Sequence, residues 1–215
     1  VGYAAGAAVT TGVNNTLIGG LAGDAITTGS NNASLGHLSL SANTTGGSNV
    51  ALGAYALYSN TTASDNTAVG KNALFVNTTG ADNVAVGTSS LDANTTGASN
   101  TGIGRSALGA NTTGTGNTAV GATALDAATT ASYNVAIGLS ALSADTLGAH
   151  AVAIGAGALS RQNFTSATNN YNIGIGYDAG LNVTTGIQNT LIGGLAGDAL
   201  TTGSYNISIG YKALS

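Results

Sequence analysis

The sequence contains no cysteine, proline, methionine or tryptophan. Without cysteine there are no disulfides and no thiolate chemistry, which leaves the compartment open, because a stacked core can take the place of disulfide staples. Charge is nearly as scarce. Four basic and eight acidic side chains make up 6% of the chain, with a net charge of −4. So thin and acidic a balance offers no basic footprint for nucleic acid. No apolar run approaches the ~18–20 residues needed to span a bilayer.

What is present is mostly Gly, Ala, Thr, Asn and Ser, in a fixed order. The unit is clearest from Asn66 to Asp82 and begins again at Asn83. A glycine that follows an aliphatic residue marks the register at Gly2, Gly19, Gly36, Gly53, Gly70, Gly87, Gly104, Gly121, Gly138, Gly155, Gly176, Gly193 and Gly210. Every interval is 17 except Gly155 to Gly176, which is 21, so four residues are inserted within 161–172. A fixed short period is the signature of a solenoid. A longer repeat lies over it. Val1–Ser41 matches Ile175–Ser215 at an offset of 174, with 28 of 41 positions identical. The chain therefore reads as one repetitive segment over 1–215, with a 174-residue super-repeat whose second copy starts near 175. Val1 and Ser215 both fall inside a repeat, as expected of a fragment of a longer fibre.

The columns of the unit predict its turn of chain. The residue before the marker glycine is always aliphatic, as in Val69, Val86 and Ile137, and two residues earlier stands Thr, Val or Ile, as in Thr67 and Val84. A small residue such as Ala68 lies between them. That period-two pattern predicts a short strand with its aliphatic face inward, leaving the alanine columns as smooth outer faces that pack against other chains. The marker glycine permits a bend. The paired threonines, such as Thr78-Thr79, predict a second strand. A volume exchange ties the columns together. Leu57, Leu74, Leu91 and Leu108 are followed three residues later by Asn60, Asn77, Asn94 and Asn111. Where glycine replaces leucine, at Gly23, Gly180 and Gly197, that later residue is Ile26, Val183 and Leu200. Close packing conserves volume, so both columns should face one narrow core. The expected fold is all-β: a parallel β-solenoid, or β-roll, of about twelve 17-residue coils spaced ~4.8 Å apart.

The stretches Asn83-Val-Ala-Val-Gly, Asn134-Val-Ala-Ile-Gly and Ala151-Val-Ala-Ile-Gly resemble the head repeats of trimeric autotransporter adhesins. The fuller unit, from Asn117-Thr-Ala-Val-Gly onward, is similar to repeats in phage and large-virus tail-fibre-type proteins. The adhesin resemblance implies a left-handed parallel β-roll in a homotrimer. Neither resemblance brings catalytic residues.

Candidate chemistry is sparse. His37 and His150 stand in unrelated columns with no nucleophile nearby in sequence, and read as exposed loop residues. Gly102–Gly104 and Gly174–Gly176 are Gly-x-Gly, but within strand columns rather than the strand–turn–helix setting of a dinucleotide site. Asp65 and Asp82 share a turn column and read as solvated. No cofactor and no metal is expected, nor an enzyme. Asn-x-Thr sequons form a column at Asn43, Asn60, Asn77, Asn94 and Asn111, with others at Asn14, Asn163 and Asn182. Rungs ~4.8 Å apart are too close for a glycan on each, and the volume exchange turns this column inward, so an Asn ladder is the expectation there. Asn163, in the insertion, is the better N-glycosylation candidate. Adjacent threonines point to opposite faces, which leaves a single outward rank for an ice-binding surface. The aromatic residues appear scattered. The insertion holds Arg161, Phe164 and Tyr171, which make it the candidate contact for a glycan or partner.

The expected function is a structural shaft of an extracellular appendage, cell-surface or viral, self-associated and adhesive to a surface glycan or receptor. The alternative is an ice- or glycan-binding solenoid module.

Overall fold

The computed structural model describes residues 1–215. The chain is all-β without a helix, a parallel β-solenoid of about eleven turns of some 17 residues each. It divides into two compact units, Val1–Ser106 and Ala107–Ser215.

The first unit carries six three-residue strands: β1 (Thr16–Ile18), β2 (Ala33–Leu35), β3 (Val50–Leu52), β4 (Thr67–Val69), β5 (Val84–Val86) and β6 (Thr101–Ile103). Each pairs in parallel with the next without register shift, so that Thr67, Ala68 and Val69 lie opposite Val84, Ala85 and Val86. The second unit repeats this with β7 (Thr118–Val120) and β8 (Val135–Ile137), then inserts the two-residue β9 (Gly148–Ala149) before β10 (Val152–Ile154). Beyond it come β11 (Thr168–Asn169), β12 (Ile173–Ile175), β13 (Thr190–Ile192) and β14 (Ile207–Ile209). The insertion leaves the main register intact, because Val152 still lies opposite Ile173. The extra residues form a separate small parallel pair, β9 with β11.

The strands face the opposite way to the sequence expectation. The small middle residues are the buried ones: Ala51, Ala68, Ala85, Ala119, Ala136 and Ala153 are fully enclosed. The aliphatic residues on either side point outward and stay partly exposed, Ile18 by 42%, Leu35 by 51% and Ile103 by 38%. The reason is width. The far side of each coil already sends a large side chain inward, at Leu40, Leu57, Leu74 and Leu91 in the first unit. A close-packed interior has room for an alanine opposite a leucine, not for two large chains. The smooth alanine faces expected outside are inside.

The volume exchange is visible in atomic detail. A Cβ on Gly23 would lie 2.8 Å from both Ile26 Cδ1 and Leu17 Cδ2. One on Gly180 would lie 2.7 Å from Leu191 Cδ1, and one on Gly197 2.7 Å from Leu191 Cδ2. A third column therefore joins the exchange, since the strand's middle residue is itself leucine at Leu17 and Leu191.

After each strand the backbone turns through left-handed positions. In the coil of β4, Gly70 has φ +133, Asn72 +59 and Leu74 +51. A Cβ on Gly70 would meet the carbonyl oxygen of Gly87 at 2.6 Å, so the marker column must be glycine for space as well as for conformation. Left-handed φ at a residue such as Leu74 is disfavoured by roughly 1–2 kcal/mol. It is held by successive tight turns, Ala73 N to Gly70 O at 3.3 Å and Asn77 N to Leu74 O at 3.3 Å. The second strand expected at the threonine pairs does not form. Thr78 N and Thr79 N both donate to Thr95 O, at 2.9 and 3.4 Å, and two successive N–H groups on one carbonyl break the alternation of a strand ladder.

Two amide ladders complete the core. Asn43, Asn60, Asn77, Asn94 and Asn111 are fully buried, as the exchange predicted. Asn60 Nδ2 donates to Asn43 Oδ1 at 2.9 Å and to Ala63 O at 3.0 Å. Asn77 repeats this on Asn60 Oδ1 and Gly80 O, and Asn94 on Asn77 Oδ1 and Gly97 O. A second ladder runs just before the strands through Asn49, Asn66, Asn83 and Asn100. Asn66 N donates to Asn49 Oδ1, and Asn66 Nδ2 reaches Gly80 O at 2.9 Å. One carbonyl, Gly80 O, thus takes an amide hydrogen from each ladder. Each such bond contributes about 1 kcal/mol net, and a buried amide left unpaired costs about 1–3 kcal/mol.

Candidate functional site

The first ladder changes character before the insertion. In its column stand Ala128, then Asp145, then Gln162 in place of asparagine. Asp145 is buried and accepts from Gly148 N at 2.9 Å, Phe164 N at 3.2 Å and Gln162 Nε2 at 2.6 Å. Asn172 Nδ2 in turn donates to Gln162 Oε1 at 2.7 Å, so the two ladders are joined at this point. Burial pushes the Asp145 carboxyl above the usual carboxylate range, and its hydrogen bonds to Gln162, Phe164, Gly148 and Leu147 pull it partly back.

The insertion residues sort by exposure. Phe164 is only 5% exposed, its backbone tied to Asp145, so its ring supports the loop from within and presents no contact face. Arg161 is exposed and donates from Nη1 to Asn182 Oδ1 at 2.6 Å. Tyr171 is half exposed. Asn163 is exposed, with Oδ1 taking the Thr146 hydroxyl at 3.0 Å.

The aromatic residues are not scattered. Tyr133, His150 and Tyr171 occupy one left-handed turn position on successive coils; Tyr133 stacks on His150 with centroids 5.4 Å apart, and Tyr171 lies tilted to His150 at 5.3 Å. His150 is therefore held between two phenol rings rather than free in a loop. A second group gathers in the first unit. Tyr58 stacks on Phe75 at 5.3 Å, Tyr55 packs edge-on to both, and His37 packs edge-on to Tyr55. The first row was legible: counting from the marker glycine after each ring puts all three rings in the same column. The second crosses columns and needs the folded coil to be seen. The first row stacks ring on ring, while the second is mostly edge to face, with only Tyr58 and Phe75 stacked.

The outer surface offers two other regular features. The strand face shows two ranks per rung, Val50/Leu52, Thr67/Val69, Val84/Val86 and Thr101/Ile103 in the first unit, without a charged residue. On the threonine pairs only one rank is free. Thr44, Thr61 and Thr78 donate their hydroxyls to the carbonyls of Thr61, Thr78 and Thr95 at 3.0–3.1 Å, while Thr45, Thr62 and Thr79 are exposed. Gly102 and Gly174, of the Gly-x-Gly pairs, are buried mid-strand residues of β6 and β12. No three His, Cys, Asp or Glu side chains gather in a metal-holding group, and no helix is long and apolar enough to cross a membrane. No family model matches the chain, and comparison with curated proteins and with solved structures gives no match either.

Proposed function

We propose that this chain is a shaft segment of an extracellular fibre, carried on a cell surface or a virion, and that copies associate side by side through the outward strand face. The observation that carries this reading is that face: two uncharged ranks of Val, Ile, Leu and Thr, partly exposed on rung after rung. A periodic apolar surface fits a second copy of itself, because both present the same rung spacing. Each rung offers about 48 Å² (~4.8 Å by ~10 Å), while a stable interface needs about 800 Å² per partner, or roughly seventeen rungs. A six-stranded unit alone falls short of that, so association at this length is weak and strengthens with the number of coils. The amide ladders suit the same role, since they bond each coil to the next along the stacking direction. No turnover is proposed for it.

Sedimentation equilibrium tests this. The chain should self-associate with concentration, to a trimer if the adhesin likeness extends to assembly. Val69→Lys with Val86→Lys should weaken association at least tenfold, and Thr62→Lys with Thr79→Lys, on another exposed rank, should leave it unchanged. Equal effects of the two pairs, or a monomer at millimolar concentration, overturn the self-association. Thermal hysteresis abolished by the Val69/Val86 pair would move the face to ice.

The row Tyr133–His150–Tyr171 beside exposed Arg161 favours a second reading, an adhesive contact for a surface glycan or receptor. Binding to a glycan array that is lost with Tyr171→Ala and Arg161→Ala, at unchanged melting temperature, would support it.

A further inference from the structure

Asparagine that can be glycosylated is built into the core of this protein. Asn43, Asn60, Asn77, Asn94 and Asn111 each head an Asn-Thr-Thr sequon and are fully buried, and Asn32, in Asn-Ala-Ser, is 1% exposed. Both hydrogens of a ladder amide are in use. Asn60 gives one to Asn43 Oδ1 and one to Ala63 O, and Asn77 one to Asn60 Oδ1 and one to Gly80 O. N-glycosylation forms a bond from Nδ2 to the sugar's anomeric carbon, releases the lipid pyrophosphate that carried the sugar, and removes one amide hydrogen as a proton. The modified amide would lose a ladder bond and would have to place a hydrophilic oligosaccharide where no solvent reaches. Transfer and folding therefore exclude each other at these residues.

Asn163 differs. It is exposed, its Nδ2 makes no hydrogen bond, and the Thr165 of its sequon is exposed too. Oligosaccharyl transfer in the secretory pathway acts on chains still unfolded, and an unfolded copy of this chain offers the buried sequons as freely as Asn163. We infer that this protein folds on a route that does not bring its unfolded chain to an N-glycosylating enzyme, and that the acceptors the folded protein offers are the exposed Asn163 and Asn14. This sets the compartment of folding rather than of residence. A fibre displayed outside the cell is compatible with it when the chain folds after a transferase-free passage, or is assembled inside and released.

The sequons can be cancelled without touching a ladder asparagine: each Asn-Thr-Thr requires its exposed second threonine, while Asn32 and Asn206 require Ser34 and Ser208, buried mid-strand residues. The variant is Thr45→Val, Thr62→Val, Thr79→Val, Thr96→Val and Thr113→Val, with Ser34→Ala and Ser208→Ala, a residue other coils carry at that position (Ala51, Ala68). Both proteins are first made in a bacterial cytosol, where equal protease resistance shows that the variant folds. Each is then directed through the secretory pathway of a eukaryotic cell, with Asn163 glycosylation as proof that the transferase met the chain. The wild type should emerge carrying glycans on ladder residues and be cleaved at least tenfold faster than the bacterial product. The variant should carry the Asn163 glycan and keep its resistance. Incubated with purified transferase and lipid-linked oligosaccharide, the folded bacterial protein should be modified at Asn163 and not in the ladders. A secreted wild type that is resistant with glycosylated ladder residues would overturn the inference. So would one modified only at the exposed sequons Asn163 and Asn14, which would mean that folding outruns transfer.

Discussion

Gly70 shows how little freedom single residues have in a coil this narrow. Its φ of +133 is open to glycine, and a methyl group there would sit 2.6 Å from the Gly87 carbonyl oxygen. Gly70→Ala should destabilise the fold by about 3 kcal/mol, from strain and a forced separation of two coils. Lys71→Ala, one residue on and exposed, should stay within about 0.5 kcal/mol. Paired urea titrations would measure both. Asp145 is the other residue with a distinct signature. Its carboxyl titrates above the unfolded value, so the folded state binds the proton more tightly. The stability it contributes is complete below the ordinary carboxylate range and is lost as pH rises through the raised folded value. Acidification should therefore stabilise this turn. Asp145→Asn would put an amide N–H against Gln162 Nε2, which cannot flip while Asn172 Nδ2 holds its Oε1. The variant should lose about 1–3 kcal/mol and also this part of the pH dependence. Melting curves of both proteins at neutral and acidic pH separate the two effects.

At the scale of the element, coils are interchangeable in register and unequal in filling. Leu191 occupies space left by Gly180 in one coil and Gly197 in the next. Leu191→Ala should open a cavity shared by both and cost about 3–5 kcal/mol, read as a lowered denaturation midpoint. Phe164→Ala should cost a similar amount, and hydrogen exchange should quicken first at β9 and β11, which the insertion holds together.

Much at this scale was legible in the sequence. The 17-residue period, the bend at the marker glycine, the inward Asn60 column and the exchange of Leu74 for glycine all follow from identity and spacing. The facing of the strands was not. Period two says that Thr67 and Val69 share a side and that Ala68 takes the other, but not which side is in. That depended on Leu74 having filled the interior from across the coil. The ladder through Asn66 was hidden for a related reason, since an asparagine before a strand looks the same whether it closes a turn or enters the core. Of the insertion candidates, Arg161, Asn163 and Tyr171 lie at the surface. Phe164 does not: its backbone N–H is tied to buried Asp145, and an apolar ring gains from enclosure.

For the whole molecule, charge and the apolar face act against each other. The net charge is −4 and the isoelectric point about 4.5. Like-charged copies repel, so association through the strand face should strengthen several-fold between pH 8 and pH 4.5 and depend less on salt at the lower pH. Sedimentation across that range would show it. Association that weakens as the charge is neutralised would point to ion pairs and away from the aliphatic ranks.

The constant register of the coils also bears on heredity. A coil meets its neighbours through columns that recur every 17 residues, as when Asn77 bonds Asn60 and Asn94 bonds Asn77. Remove or copy a coil of the kind that carries Leu57 and Asn60, within a run of such coils, and the new neighbours still present glycine to glycine and amide to amide. Unequal crossing-over in steps of seventeen codons is therefore close to silent for folding, whereas any other step must be housed as a loop, as the residues before Asn172 are. Length is the trait such a gene can vary most freely, one rung at a time, and natural variants should differ by whole coils.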